Sequence, residues 1–477
     1  MERIDITSWF ARIRTLAIGL VAFALASCAV QPHRPYTQAE RPGTPCNAPA
    51  SADAQLTTPE IRKNYTLHFV EFDDQGWAFP NDDPSSANRR TPGQQIDCAI
   101  ADLRGKLEAE NGKVLTFVYV HGWKHSAAAD DYDVDRFRRL LDSRASYFPD
   151  RRIVGIYVGW QGNTIDLWGV RNINFWSRKN AASHVADGRV RELFSRIRGL
   201  RDYWNGPIKT YDHDCDSEPS GEDRCPLRTI MIGHSFGGLI LFSSAAPYLM
   251  EMLSAERDLP PDGKRQRAAR SRGIADLIVL LNPAFEGSLY APVFEAGLHY
   301  RPSDNEPPLV VTLTTTADVA TKNFFPVARW FNSVFQYPAS SDEESNAMKR
   351  TPGNIDRFLT HKLCNREPEC DGPDAVNDPS DSELKWGRRE DYCGMTLRSY
   401  VSREKPDRSI VWNVRTHAEV IPNHSDIDQP SVFQFIGQIY SNVTGLRTRV
   451  CEQDFGSSAD PAAAGATLQA AGNATPR

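Results

Sequence analysis

Arg228-Thr-Ile-Met-Ile-Gly-His-Ser-Phe-Gly-Gly-Leu-Ile-Leu-Phe242 decides the fold of this chain. It opens as a short β-branched run, turns through Gly233-His234-Ser235-Phe236-Gly237, and continues as an apolar, helix-competent segment. Strand, tight turn and helix in that order are the setting a G-x-S-x-G nucleophile elbow requires. A serine hydroxyl is a poor nucleophile, so it must stand clear of the backbone with a base beside it. A sharp turn achieves this by straining the serine, and the strain needs neighbours without side chains, supplied here by Gly233 and Gly237. Gly233–Gly238 is not followed by Lys-Ser or Lys-Thr, which argues against a phosphate-cradling loop.

Outward from this turn the pattern repeats. Tyr65–Phe72 alternates as a strand, and Trp77–Phe79 reads as its hairpin return. Val114–Val120, Arg152–Val158, Asp276–Leu281, Pro308–Thr314 and Ser409–Arg415 are apolar runs of the kind buried on both faces of a sheet. Helical spacing appears at Gln95–Asn111, Asp133–Leu141, Ala181–Trp204 and Ser431–Tyr440. Five arginines between the apolar positions of the third helix (Arg189, Arg191, Arg196, Arg198, Arg201) read as a solvated face. Strands alternating with helices predict an α/β fold, a mainly parallel sheet flanked by helices. Active sites in such sheets collect where strands end.

Three strand ends carry chemistry: His121-Gly122-Trp123, the Ser235 turn, and Asp318. Beyond the last strand lies His424, in Ile421-Pro-Asn-His-Ser-Asp-Ile427. Serine, acid, histidine in that chain order, with an oxyanion loop upstream, resembles the α/β-hydrolase superfamily over roughly Asn64–Glu452. The resemblance implies that Ser235 attacks an acyl carbonyl, His424 takes its proton, and Asp318 orients the imidazole. It further implies an oxyanion hole from the backbone N–H groups of Trp123 and Phe236. Glu286 is the alternative acid and His417 the alternative base; His121 and His234 read as structural or pocket-lining. Residues 323–408 fall where the superfamily tolerates insertions between acid and histidine. Within them Val327, Trp330, Phe331, Val334 and Phe335 share one helical face, as a cap over an acyl pocket or as ordinary core, and Ser340–Arg403 reads as a decorated surface excursion. The activity implied is hydrolysis of small-molecule or lipid carboxylic esters through an acyl-enzyme. An acyltransferase with the same residues and a non-catalytic envelope scaffold are the alternatives.

At the N-terminus, Arg3, Arg12 and Arg14 precede the short apolar run Leu16–Ala24 and then Leu25-Ala26-Ser27-Cys28. This is a secretory signal over 1–27. Leu-Ala-Ser-Cys resembles the lipobox of bacterial lipoproteins, which implies a lipid on Cys28; Ala29 in the next position implies sorting to the outer membrane, facing the periplasm. Residues 28–59 read as a flexible tether, 60–456 as the folded domain, and the Ala/Gly-rich 457–477 as a disordered tail. Eight of nine cysteines remain after Cys28, an even number that reads as disulfides in an exported protein. Cys215–Cys225 is the preferred pair, with another expected among Cys364, Cys370 and Cys393. The net charge of -6 gives no support for nucleic-acid binding. No spacing resembles a zinc knuckle, and no cofactor or metal is expected.

Overall fold

The strands are built from residues that have nowhere to go but inward. Every residue of Val114–Val120 (β3) and Leu227–His234 (β5) is buried, as is all of Arg152–Trp160 (β4) after its first residue. Strands covered on both faces need apolar side chains on both, and each fully buried Val, Leu or Ile contributes about 1.5–3 kcal/mol. The computed structural model describes residues 59–78, 94–162, 171–206, 215, 223–254, 273–300, 302, 306–327, 329, 339–365, 385–392, 394–401 and 409–444. The signal sequence, Cys28, the tether as far as residue 58 and the 457–477 tail lie outside them.

Along the chain come β1 (Glu60–Ile61), β2 (Tyr65–Phe72), α1 (Gln94–Glu108), β3, α2 (Tyr132–Tyr147), β4, α3 (Arg171–Asp187) and α4 (Val190–Asn205). They are followed by β5, α5 (Phe236–Ser254), β6 (Leu277–Leu281), α6 (Gly287–His299), β7 (Val310–Thr315) and α7 (Asp342–Lys349). Last come β8 (His361–Cys364), β9 (Lys385–Tyr392), β10 (Met395–Val401), β11 (Val411–Thr416) and α8 (Pro430–Thr444). The strands form one 11-stranded sheet in the order β1-β2-β4-β3-β5-β6-β7-β11-β8-β10-β9. The strands from β2 to β8 in that order run parallel, with β1 and β10 opposed to them. This is a mixed, mostly parallel α/β sheet flanked by helices.

Alternate residues of each strand serve two helical layers. Val114, Val118 and Val120 share a core with α1, α3, α4, α5 and α6, whereas Leu115, Phe117 and Tyr119 face α2 and α8. α5 is long and apolar enough to cross a membrane by composition, but it lies in the first of these cores with its first three turns almost wholly buried.

Four local expectations are corrected. The hairpin return after β2 is a single bridge between Phe72 and Ala78, and Trp77 is exposed. The helix expected over Ala181–Trp204 breaks at Gly188, where a Cβ would lie 2.4 Å from the Gly76 carbonyl oxygen; the Asp73–Gly76 turn is seated in the break and accepts a hydrogen bond from Arg189 N (2.9 Å). Of the five arginines taken as solvated, Arg201 is fully buried and donates to the Gly273 carbonyl (2.7 Å). Ser340–Arg403 is no mere surface excursion: β8, β9 and β10 extend the sheet, and Leu363, Tyr392, Met395 and Leu397 pack beneath α8. Cys215 and Cys225 are disulfide-bonded, as expected, and Cys98 and Cys364 are also in disulfides.

Candidate active site

The strand order reverses at β3: β4 lies on one side of it and β5 on the other. The crevice at the carboxyl ends of β3 and β5 is therefore the topological switch point, where open α/β sheets hold ligands. Both β3 and β5 end there in residues singled out from the sequence.

Ser235 is the single residue between β5 and α5, and its φ is +54°. That left-handed conformation costs a non-glycine residue about 1–2 kcal/mol. The surroundings impose it. Ser235 N donates to the Leu281 carbonyl at the end of β6 (3.1 Å), and the Ser235 carbonyl accepts from Gly238 N (3.0 Å) and Ala284 N (3.1 Å). The flanking glycines permit it. A Cβ on Gly233 would lie 2.7 Å from the Gly237 carbonyl oxygen, and one on Gly237 would lie 2.0 Å from that of Val120.

His424 and Asp318 meet this serine. His424 Nε2 lies 2.9 Å from Ser235 Oγ, and His424 Nδ1 lies 2.7 Å from Asp318 Oδ2. An ionised carboxylate only accepts, so Nδ1 carries the proton and Nε2 is left bare to accept from the serine hydroxyl. Asp318 is fully buried, which by itself would raise its pKa. The hydrogen bonds from His424 and Thr321 outweigh burial and hold it below the usual carboxylate range. Thr321 donates through Oγ (2.6 Å) and its backbone N (3.0 Å), so Asp318 also caps the turn that follows it.

The alternatives are engaged elsewhere. Glu286 is buried at the head of α6, paired with Lys179 (2.7 Å) and Arg329 (2.9 Å). His417 Nδ1 is hydrogen-bonded to Thr316 Oγ1 (3.3 Å). Asp426 accepts from Asn423 Nδ2 (2.6 Å), four residues before α8 begins.

The turn His121-Gly122-Trp123 lies against the serine. A Cβ on Gly122 would be 3.0 Å from Ser235 Cβ and 3.0 Å from His234 Nδ1, tight contacts that glycine avoids. Phe236 N is the first N–H of α5, one of the helix-start donors without an intrahelical acceptor. His121 holds the turn from behind. Its Nε2 accepts from Trp160 N (3.1 Å), so the proton sits on Nδ1 and is donated to the Gly122 carbonyl (2.8 Å). Burial pushes this imidazole down to about 4, and it stacks on Trp160 and Tyr157 as a neutral ring. It is structural, as expected.

The side chains of Trp123 and Phe236 form an apolar wall beside their own N–H groups. Phe175 packs on both (ring centroids 5.8 and 5.2 Å away) and reaches Phe325 (6.1 Å). Of the five apolar residues weighed as cap or core, only Val327 is among the described residues, and it is exposed.

Sequence reading missed what carries the His424 loop. Arg136 of α2 donates to the Ser425 carbonyl (2.7 Å) and pairs with buried Asp133 (2.5 Å) and with Asp428 (3.4 Å); Arg139 also pairs with Asp428 (2.9 Å). Arg136 is 289 residues from Ser425, and an arginine on a charged helix carries no sequence signal of that bond. Among the described residues no group of three or more His, Cys, Asp or Glu side chains could hold a metal ion. No protein-family model, curated protein or solved structure matches the chain.

Proposed function

We propose that this protein is a serine hydrolase of carboxylic esters, built on an α/β-hydrolase fold with 323–408 inserted between acid and histidine. The observation that carries the reading is the continuous run Asp318–His424–Ser235, at 2.7 and 2.9 Å, on a serine held at positive φ. Ser235 Oγ attacks the acyl carbonyl as its proton passes to His424 Nε2, and buried, ionised Asp318 stabilises the imidazolium. The tetrahedral oxyanion sits against the N–H groups of Phe236 and Trp123; a donor of this kind is worth about 3–4 kcal/mol of barrier. His424 then protonates the leaving alcohol, and water activated by the same imidazole releases the acid. The aromatic wall of Trp123, Phe175 and Phe236 supports an apolar acyl group. On this reading the enzyme hangs from the bacterial envelope by a lipid on Cys28.

Fluorophosphonate labelling of the purified protein, beside Ser235→Ala, tests the reading. Covalent labelling of the wild type and none of the variant is expected. An unlabelled wild type, or equal labelling of both, overturns it. Adding an alcohol acceptor to the ester assay separates hydrolysis from acyl transfer by the product formed.

A further inference from the structure

The base in this site is not held by its own side chain alone. The backbone carbonyl of His424 accepts two side-chain donors, His234 Nε2 (2.9 Å) and Asn282 Nδ2 (3.1 Å). Asn282 Nδ2 also reaches the Asn423 carbonyl (3.2 Å), while its Oδ1 accepts from Thr315 N (3.1 Å). His234 immediately precedes Ser235 in β5, and Thr315 ends β7 three residues before Asp318. Two side chains thus tie the His424 main chain to the strand that delivers the nucleophile and to the strand that delivers the acid.

Both are unusual choices for buried positions. Asn282 is fully buried with φ +42°, a left-handed conformation that asparagine tolerates better than almost any other residue with a side chain. It therefore combines the backbone turn at the end of β6 with an amide that donates one way and accepts the other. His234 is 2% exposed, and its Nδ1 has no hydrogen-bond partner among the described residues. Since Nε2 donates to a carbonyl, Nδ1 is the bare nitrogen, and the ring packs 5.1 Å from that of His424. An apolar ring would fill that space without an orphaned nitrogen, which buried sites rarely tolerate without a reason.

We propose that His234 and Asn282 are positioning residues, which set the distance from His424 Nε2 to Ser235 Oγ by fixing the carbonyl of His424. This rests on the serine-hydrolase reading for its consequence, though not for its geometry. A nucleophile–base contact misplaced by about 1 Å loses on the order of 10²-fold in rate, so the tie acts on turnover rather than on substrate affinity.

The test compares His234→Phe, which keeps a ring and removes the donor, with His234→Gln, whose amide N–H restores one at similar reach. Asn282→Asp keeps the acceptor for Thr315 N and removes both donated bonds. With a soluble ester, kcat of His234→Phe and Asn282→Asp is expected to fall by about 10–100-fold at KM within twofold, and His234→Gln to return to within about fivefold of wild type. Amide hydrogen exchange across 420–428 is expected to quicken in the first two variants and not in the third. Wild-type kcat in His234→Phe, or equal loss in His234→Phe and His234→Gln, overturns the proposal. Should the wild type itself prove inert toward esters and fluorophosphonate, the hydrolase reading falls, and the exchange comparison alone decides whether the tie exists. Should His234→Phe fail to fold, Asn282→Asp carries the same comparison.

Discussion

Replacing Gly237 with alanine adds one methyl group at the point where the helix after Ser235 meets the end of β3. That methyl would lie 2.0 Å from the Val120 carbonyl oxygen and 2.5 Å from that of His121. A Cβ essentially never approaches an oxygen within 3.0 Å, so one backbone must retreat by roughly 1 Å. Neither obstacle is a flexible side-chain tip. Val120 is paired in the middle of the sheet with β4 and β5, and His121 is pinned by Trp160, so the strain falls on the His121-Gly122-Trp123 turn. Overpacking of this kind costs about 1–3 kcal/mol of stability. On the proposed hydrolase reading, in which Trp123 of that turn donates to the oxyanion, moving the donor by about 1 Å costs on the order of 10²-fold in acylation rate. The assay is a denaturant titration beside the rate of fluorophosphonate labelling. Gly105→Ala is the control: Gly105 lies exposed in α1 with nothing within 4 Å of its added methyl, and helix propensity predicts a gain of about 1 kcal/mol with unchanged labelling. Wild-type stability and labelling in Gly237→Ala would refute the close approach of these two segments, and with it the placement of the turn beside Ser235.

Further expectations bear on the acid and on pH. Asp318→Asn should lower kcat by roughly four orders of magnitude, because the amide favours the wrong imidazole tautomer. Glu286→Gln should keep its labelling and lose about 3 kcal/mol of stability, since it strands Lys179 and Arg329; the opposite pattern in the two variants would make Glu286 the acid. Stability should peak near pH 6.5. Below it the unfolded chain protonates histidines that His121 and His234 keep neutral when folded, so stability falls by about 1.4 kcal/mol per pH unit for each. For His121 the decline runs from 6.5 to about 4, a total of about 3 kcal/mol. His125 works in the other direction: the hydrogen bond to Asp131 and the charges of Asp133 and Asp131 outweigh burial and raise its pKa, so its contribution is whole below 6.5 and lost as pH rises through the raised value. Denaturant midpoints from pH 4 to 9 check this, and a stability that climbs on acidification from 6.5 to 5 would contradict it.

What was legible in the sequence is what a short stretch dictates by itself. The bounds of β3 are legible to the residue because six of its seven buried positions are apolar, and those of β2 because its apolar residues alternate with polar ones. The arrangement at Ser235 was legible because a turn between buried strand and buried helix constrains its own glycines. Asp318 and His424 were reachable only through position, after a strand and before a helix, with a rival each. What stayed hidden depends on pairs distant in sequence. Gly188 ends a helix because Gly76, more than a hundred residues earlier, is pressed against it. β8 and β10 carry polar residues between their apolar ones, and only their pairing with β11 and with each other places Leu363, Met395 and Leu397 in the core beneath α8. Asn282 showed itself only as the residue after a strand; its left-handed backbone and divided amide become visible when three loops converge on it.

Ser235 and His424 belong to opposite slabs of the molecule. Ser235 leads into α5, on the side of α1, α3, α4 and α6, whereas His424 precedes α8, which packs with α2 on the far side. Slight slippage of one slab over the other separates Ser235 Oγ from His424 Nε2 while most secondary structure persists. The site should thus behave as a thermal fuse: on gradual heating, the ability to react disappears at a lower temperature than the circular-dichroism signal of the helices.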